Sequence, residues 1–143
     1  MRKIITMLII SLSFSACTDK VSPVAKLSGT FDGTFFYRPA SDLQVQSGSA
    51  KISFSENRYV SARNATYIPA GGSGTLEILM DDLISFKDEN IWTANFDWGL
   101  VLNGNFKYRF KGDSLILTRR NDTCPNCKPY SSPLYEYRLK RSN

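Results

Sequence analysis

The fold class follows most directly from residues 105–119, which read Asn-Phe-Lys-Tyr-Arg-Phe-Lys-Gly-Asp-Ser-Leu-Ile-Leu-Thr-Arg. In the first half of this stretch, aromatic residues alternate with basic residues, so one face is apolar and the other is charged. Strict alternation is typical of a half-buried β-strand. Gly112-Asp113 then marks a tight turn into a second apolar segment over residues 114–119. The stretch therefore predicts an antiparallel β-hairpin.

The same period of two recurs from Gly29 to the end of the chain. It is visible in residues 29–37, 51–55, 58–63, 76–80, 84–87, 92–96 and 135–140. Together with the hairpin, these segments predict roughly nine strands separated by Gly, Asn and Asp. We find no convincing helical stripe longer than about ten residues. Because short turns make neighbouring strands antiparallel, the domain is predicted to be all-β and to close into a barrel or fold into a sandwich.

The N-terminus has the pattern of a secretory signal peptide. Two basic residues precede an apolar segment over residues 4–14, which is too short to span a bilayer. The segment ends on Phe14-Ser15-Ala16-Cys17, which resembles a bacterial lipobox. In that motif the Cys is thioether-linked to diacylglycerol and the peptide is cut just before it. An ordinary signal peptide followed by a chance Cys is the alternative.

The resemblance to a lipobox divides the chain into three parts. We expect residues 1–16 to be a lipoprotein signal peptide and residues 17–27 to be the lipidated Cys17 with a short tether. Residues 28–143 then form the β domain. Because two or three acyl chains give stable attachment to a bilayer, the membrane is the first predicted partner of the protein.

The composition excludes several classes of function. The chain has no His, which removes Ser-His-Asp triads, Cys-His dyads and His-ligated zinc or haem. The net charge of +5 becomes smaller once the basic signal residues are cut away, so nucleic-acid binding is not expected. Paired carboxylates occur at Asp81-Asp82 and Asp88-Glu89. Adjacent strand residues point to opposite faces, so neither pair could face one cleft as the two carboxylates of a glycosidase do. Both pairs flank the strand predicted around residues 84–87 and are typical of turns. We expect no catalysis, no cofactor and no metal.

Cys124-Pro125-Asn126-Cys127 is the sharpest local motif. A redox centre would need a thioredoxin-like context, which the strand pattern does not offer. A zinc site would need two further ligands. We predict a structural disulfide between Cys124 and Cys127, which suits an oxidising compartment. Free thiols remain the main alternative.

Several segments together resemble a known family. After the lipobox and tether, Leu27-Ser28-Gly29-Thr30-Phe31 opens the first strand, and residues 52–59, 113–117 and 135–139 continue the pattern. The chain is thus similar to the small lipocalin-like lipoproteins of Bacteroidota. Calycin barrels usually carry Gly-x-Trp on the first strand and a late Arg that packs over the Trp. Here Phe31 replaces the Trp, and Arg138 is a candidate for the late Arg.

The resemblance implies a single antiparallel up-and-down barrel of about eight strands, anchored in the cell envelope, in the outer membrane. Its function would be to bind a small apolar or amphipathic ligand inside the barrel. The alternative is a barrel with a solid core that docks on another envelope protein, with Trp98 and the loop over residues 64–74 as contacts. The candidate contacts for either function are Trp98, Tyr59, Tyr108 and Phe35, with Tyr67 as a further candidate for lining a cavity.

Overall fold

The computed structural model describes residues 27–40, 44–93, 97–120 and 133–142. The strands are β1 (Gly29–Arg38), β2 (Gln46–Ser55), β3 (Arg58–Ser61), β4 (Gly72–Met80), β5 (Leu83–Asp88), β6 (Gly104–Lys111), β7 (Ser114–Arg119) and β8 (Leu134–Arg141). A short 3₁₀ turn, Trp98–Leu100, lies in the connection between β5 and β6. Of the described residues, none belongs to a helix with the length and apolar character needed to cross a membrane.

The strands form a closed antiparallel barrel in which each strand pairs with its neighbour in sequence and β8 pairs back with β1. The structure thus confirms the predicted all-β, up-and-down barrel of eight strands. The hairpin of residues 105–119 has Tyr108 opposite Leu117, and Phe35 of β1 lies opposite Tyr137 of β8. Closure leaves the sheet without an unpaired edge, which removes a common route to aggregation.

The two ends of the barrel differ in the length of their connections. At one end, which we call the turn end, Glu56-Asn57, Asp81-Asp82 and Gly112-Asp113 are tight two-residue turns. At the other end, which we call the loop end, longer connections join β1 to β2, β3 to β4, β5 to β6 and β7 to β8. Because loops carry function more often than tight turns do, the loop end is the first place to look for a site.

Aromatic side chains fill the middle of the barrel. Six of them are almost completely buried: Tyr59, Tyr137, Phe31, Phe35, Phe86 and Phe106. The Phe86 ring centroid lies 4.9 Å from that of Tyr59 and 5.6 Å from that of Phe106, both edge to face. Such pairs add about 0.5–1.5 kcal/mol each beyond the area that they bury. The described interior is therefore a packed core.

The late arginine that packs over Phe31 is Arg141, and the prediction of Arg138 for that place is wrong. The guanidinium carbon of Arg141 lies 4.7 Å from the ring centroid of Phe31, directly opposite it in the β1–β8 register. Arg138 lies instead on the outer face, where its guanidinium stacks on Phe36 and pairs with Glu136. Alternation along β8 explains the difference, since inward-facing Tyr137 and Leu139 share their parity with residue 141.

The predicted ninth strand, over residues 92–96, is wrong in the part that the structure describes, because residues 91–93 form no strand. Residues 1–16, Cys17, most of the tether, and Cys124 with Cys127 lie outside the described residues. Leu27, the last residue of the predicted tether, is only 2% exposed and belongs to the core.

Candidate functional site

A cleft of about 750 Å³ opens at the loop end. We call it the loop-end cleft. Its volume falls in the range of roughly 300–1,000 Å³ that is usual for small-molecule sites. Strand ends and two connections contribute its lining residues, which are Tyr37, Gln46, Arg63, Thr66, Tyr67, Ile68, Asn90, Ile91, Trp92, Thr93 and Leu100. The lining therefore combines aromatic rings with amides and hydroxyls.

The connection between β3 and β4 forms the first wall, and Asn64 holds it in shape. The Asn64 Oδ1 accepts hydrogen bonds from the backbone N–H and the hydroxyl of Thr66, at 2.9 and 3.0 Å. Its backbone N–H donates to the Pro69 carbonyl at 3.0 Å. Its Nδ2 donates to the Ser49 hydroxyl at 2.9 Å. One Asn thus closes the loop locally, as Asx turns do, and also attaches it to β2.

Gly48 lets this wall lie directly on β2. A Cβ atom built on Gly48 would lie 1.7 Å from the Ile68 carbonyl oxygen, which is far inside van der Waals contact. The two backbones can approach so closely only because residue 48 has no side chain. The position of the Ile68 segment in the cleft therefore depends on a glycine in β2, on the other side of β3 in the chain.

Tyr67 and Arg63 form an exposed cation–π pair on the first wall. Tyr67 has a left-handed backbone, with φ of +59°, and its N–H donates to the Asn64 carbonyl at 2.9 Å. A non-glycine residue in this region is held there by its surroundings. The guanidinium carbon of Arg63 lies 5.1 Å from the Tyr67 ring centroid, within cation–π distance.

Residues 90–93 form the second wall of the cleft. Asp88, the last residue of β5, holds this wall in place through hydrogen bonds. Its carboxylate accepts from the Ser73 backbone N–H at 2.8 Å, from the Asn90 amide at 2.6 Å and from the Trp92 indole N–H. Its own N–H donates to the Asn103 side-chain oxygen at 3.1 Å. Trp92 also packs against the core. Because several donors converge on one carboxylate, the rings and amides of this wall have fixed positions.

The 3₁₀ turn forms the floor of the cleft. Asp97 caps the turn by accepting the Gly99 N–H at 2.7 Å, and its other oxygen accepts the Tyr37 hydroxyl at 2.6 Å. Leu100 of this turn is buried in the core, and its carbonyl accepts the Ala70 N–H at 3.0 Å. The floor is thus hydrogen-bonded to β1 through Tyr37 and to the first wall through Ala70.

Gly99 allows the turn to lie on Tyr135 of β8, since a Cβ there would meet the ring at 2.3 Å. Burial raises the pKa of Tyr135 above its usual value, and the Asp97 charge adds to the rise. The guanidinium carbon of Arg119 lies 5.1 Å from the same ring and acts in the opposite direction. Tyr135 therefore stays neutral at physiological pH and serves as a packing surface.

Among the described residues that line the cleft, Arg63 is the only one with a charged side chain. Other basic residues on the barrel pair with carboxylates, as Arg58 does with Glu89 at 2.8 Å and Lys51 with Asp32 at 3.8 Å. Arg63 instead contacts a neutral ring. The carboxylates nearest the cleft, Asp88 and Asp97, accept hydrogen bonds from Trp92 and Tyr37 behind its walls, so the charge on the lining itself is that of Arg63.

Two of the sequence-predicted contacts, Phe35 and Tyr59, lie in the packed core. The Tyr59 hydroxyl donates to the Leu102 carbonyl at 2.5 Å. Burial, together with the charges of Asp88 and Glu89, raises the pKa of Tyr59 far above its usual value. Neither side chain lines the loop-end cleft.

Tyr108 and Trp98 lie apart from the cleft and from each other. Tyr108 is buried beside the turn-end carboxylates, where burial and then Asp81 and Asp82 raise its pKa. Its hydroxyl has no hydrogen-bond partner among the described residues. Trp98 is 53% exposed on the 3₁₀ turn at the loop end and does not line the cleft.

Of the aromatic residues that the sequence singled out for a cavity, Tyr67 lines the cleft. Sequence reasoning missed Arg63, Asn90 and Trp92 as lining residues. The loop over residues 64–74, which the sequence predicts as a contact surface, is the one feature that pointed to this region. The hydrogen bonds that position these side chains join residues that are far apart in the chain. Such contacts produce no periodic pattern in the sequence.

No protein-family model, curated protein or solved structure matches this chain. Within the described ranges, His, Cys, Asp and Glu residues form no group of three or more that could hold a metal ion. The geometry of the loop-end cleft and the sequence pattern therefore carry the functional proposal.

Proposed function

We propose that this chain is a non-enzymatic, lipid-anchored protein of the cell envelope whose barrel binds a small amphipathic ligand in the loop-end cleft. The observation that carries this proposal is the cleft of about 750 Å³ in which the Tyr37 and Trp92 side chains are held by partly buried hydrogen bonds to Asp97 and Asp88. Prepositioned walls reduce the ordering entropy that binding would otherwise cost. The ligand sits at the mouth because aromatic side chains fill the interior position that the sequence predicted for it.

The direction of the chain supports an anchored arrangement. β1 begins at the turn end with Gly29, and residues 18–27 between the predicted lipid anchor and the barrel can span at most about 35 Å when extended. The turn end would then lie nearer the bilayer, and the cleft would open away from it. Cys17→Ala should move the protein from the membrane fraction to the soluble fraction, and it should abolish incorporation of labelled fatty acid.

Native mass spectrometry of the mature chain, purified from the envelope of its own host, tests the binding proposal. We expect a reproducible extra mass that is released on denaturation. The Tyr67→Ala variant should lose that mass, because it removes one ring from the cleft. Met80→Ala removes an exposed apolar side chain at the turn end and should retain it. A wild-type protein without any extra mass would contradict the proposal.

A second candidate function is docking on another envelope protein through the loop end. The observation that favours it is the exposure of large apolar side chains at that end, with Ile91 fully exposed, Trp98 53% and Tyr67 46% exposed. Aromatic residues of this kind anchor many protein interfaces. Under this function, native mass spectrometry would find a retained protein in place of a small molecule, and Trp98→Ala would weaken its retention.

A further inference from the structure

We propose that the ligand of the loop-end cleft is a small amphiphile with one anionic group of the carboxylate class, which Arg63 binds. This inference rests on the proposed small-ligand function and specifies the chemistry of the ligand. It follows from three features of the cleft: a single charged side chain, the stacking of that side chain on Tyr67, and an apolar and aromatic surface beside it.

The charge of the lining is the first feature. Arg63 is the charged residue among the described lining residues, and its contact is with the neutral Tyr67 ring. A ligand that covers this guanidinium without supplying an acceptor would leave a cation partly dehydrated, which is unfavourable. A carboxylate satisfies the same guanidinium with charge-assisted hydrogen bonds.

The stacking of Arg63 is the second feature. A guanidinium that lies over a neutral ring instead of a carboxylate keeps N–H donors available, and these donors match the two oxygens of a carboxylate. The ring itself is held by the backbone hydrogen bond from Tyr67 to Asn64. Asn64 is in turn attached to Ser49 of β2. The cation is therefore partly ordered before ligand arrives, so binding orders it less.

The surface beside Arg63 is the third feature. Ile68 and Trp92 pack against the core while also lining the cleft, and Leu100 forms its floor. These groups offer an apolar surface to the body of a ligand. Asn90 and Gln46 add amide groups among them. One charged residue next to an apolar surface fits a ligand with one charged group and an apolar body.

A matched pair of fluorescent probes tests this inference on the mature chain. Dansylaminoundecanoic acid carries the anionic group, and its methyl ester has the same body without the charge. We expect the acid to bind the wild-type protein at least about tenfold more tightly than the ester, as charge-assisted hydrogen bonds imply. Added salt should weaken the binding of the acid and leave the binding of the ester unchanged.

Variants assign the preference to its residue. Arg63→Gln should reduce the affinity for the acid to about that for the ester and should change ester binding little. Arg58→Gln removes the same charge from a residue that pairs with Glu89 on the outer face of the barrel, and should leave both affinities unchanged. Circular dichroism of both variants checks that the fold is retained.

Each other outcome overturns the inference. Equal affinity of the wild-type protein for acid and ester would remove the anionic preference while leaving the proposed function in place. A preference for the acid that survives in Arg63→Gln would remove Arg63 as its source. Failure of the wild-type protein to bind either probe would overturn the inference as well, and the retained mass of the native protein would then decide the proposed function separately.

Discussion

The guanidinium of Arg141 lies over the ring of Phe31, with 4.7 Å between its central carbon and the ring centroid. The same guanidinium donates a hydrogen bond to the Ser28 carbonyl. The last strand of the barrel is thereby joined to the residues that enter the first strand. This contact closes the turn end, opposite the cleft.

Replacing Arg141 should destabilise the barrel. Arg141→Gln removes the cation–π contact and the charged donor to Ser28, so we expect the free energy of unfolding to fall by about 1–2 kcal/mol. Arg138→Gln, whose contacts with Phe36 and Glu136 lie on the outer face, should cost less, about 0.5 kcal/mol. Urea unfolding followed by circular dichroism measures both. Equal losses in the two variants would show that the Phe31 contact has no special role.

A methyl group at residue 48 should displace the first wall of the cleft. Gly48→Ala would place its Cβ against the Ile68 carbonyl, and we expect a loss of about 1–3 kcal/mol in stability, typical of overpacking. Amide NMR shifts should concentrate in residues 64–69. Ser47→Ala, at the exposed neighbouring position, is the control. It should change neither the stability nor the NMR shifts of residues 64–69. Retention of wild-type stability and shifts in Gly48→Ala would contradict the close approach.

Asp88 should control the environment of Trp92. In a Trp98→Phe background, Trp92 is the remaining Trp of the chain, so its fluorescence can be read alone. Asp88→Ala removes the acceptor for Ser73, Asn90 and Trp92. We expect a red-shifted emission and a stability loss of about 2 kcal/mol. Asp32→Ala, at an exposed ion pair, should leave the emission unchanged, and an unchanged emission in Asp88→Ala would refute the role assigned to it.

The hydroxyl of Tyr108 should make a negative contribution to stability. It is buried without a hydrogen-bond partner among the described residues, and a buried unpaired hydroxyl costs about 1–3 kcal/mol. Tyr108→Phe should therefore be neutral or raise the free energy of unfolding by about 1 kcal/mol. Tyr59→Phe should have the opposite sign, because it removes the hydrogen bond to Leu102. A clear loss of stability in Tyr108→Phe would mean that its hydroxyl has a partner.

Stability should fall at alkaline pH. Burial raises the pKa of Tyr59 and Tyr137 well above the unfolded value, so the folded protein keeps two protons that the unfolded chain releases above about pH 10. Their contribution is complete below that pH and is lost as pH rises toward the folded pKa. We expect a slope of about −1.4 kcal/mol per pH unit for each buried tyrosine.

The alkaline loss can be assigned by substitution. Tyr59→Phe should reduce the slope of the free energy of unfolding against pH above about pH 10 by one tyrosine's share. Urea titrations at a series of pH values measure the slopes. An identical slope in wild type and Tyr59→Phe would contradict the assignment.

Most of the barrel could be predicted from local pattern. Alternation along residues 105–119 indicates β6 and β7, and the observed pairing of Tyr108 with Leu117 follows from their turn. The parity of β8 was also sufficient to find Arg141, since Tyr137, Leu139 and residue 141 share one face. Arg138 has the opposite parity and lies on the outer face. The strand predicted over residues 92–96 failed because the Trp92 indole bonds to Asp88 and packs on the core outside the sheet.

The cleft could not be predicted in the same way. Its first wall depends on the approach of Gly48 to Ile68 and on the hydrogen bond from Asn64 to Ser49, which join residues in different strands and loops. Asp88 reads in the sequence as a turn residue, yet its carboxylate orients the second wall. Contacts of this kind depend on tertiary packing, and propensity and periodicity carry no information about them.

A small-ligand site in the loop-end cleft is tested by mapping the bound probe on the amide NMR spectrum. The measurement compares the mature protein with and without dansylaminoundecanoic acid. We expect shifts in residues 63–68 and 90–93, with the turn-end residues 81–82 and 112–113 unchanged. Shifts centred on the turn end, or a spectrum that the acid leaves unchanged, would contradict a small-ligand site in the loop-end cleft.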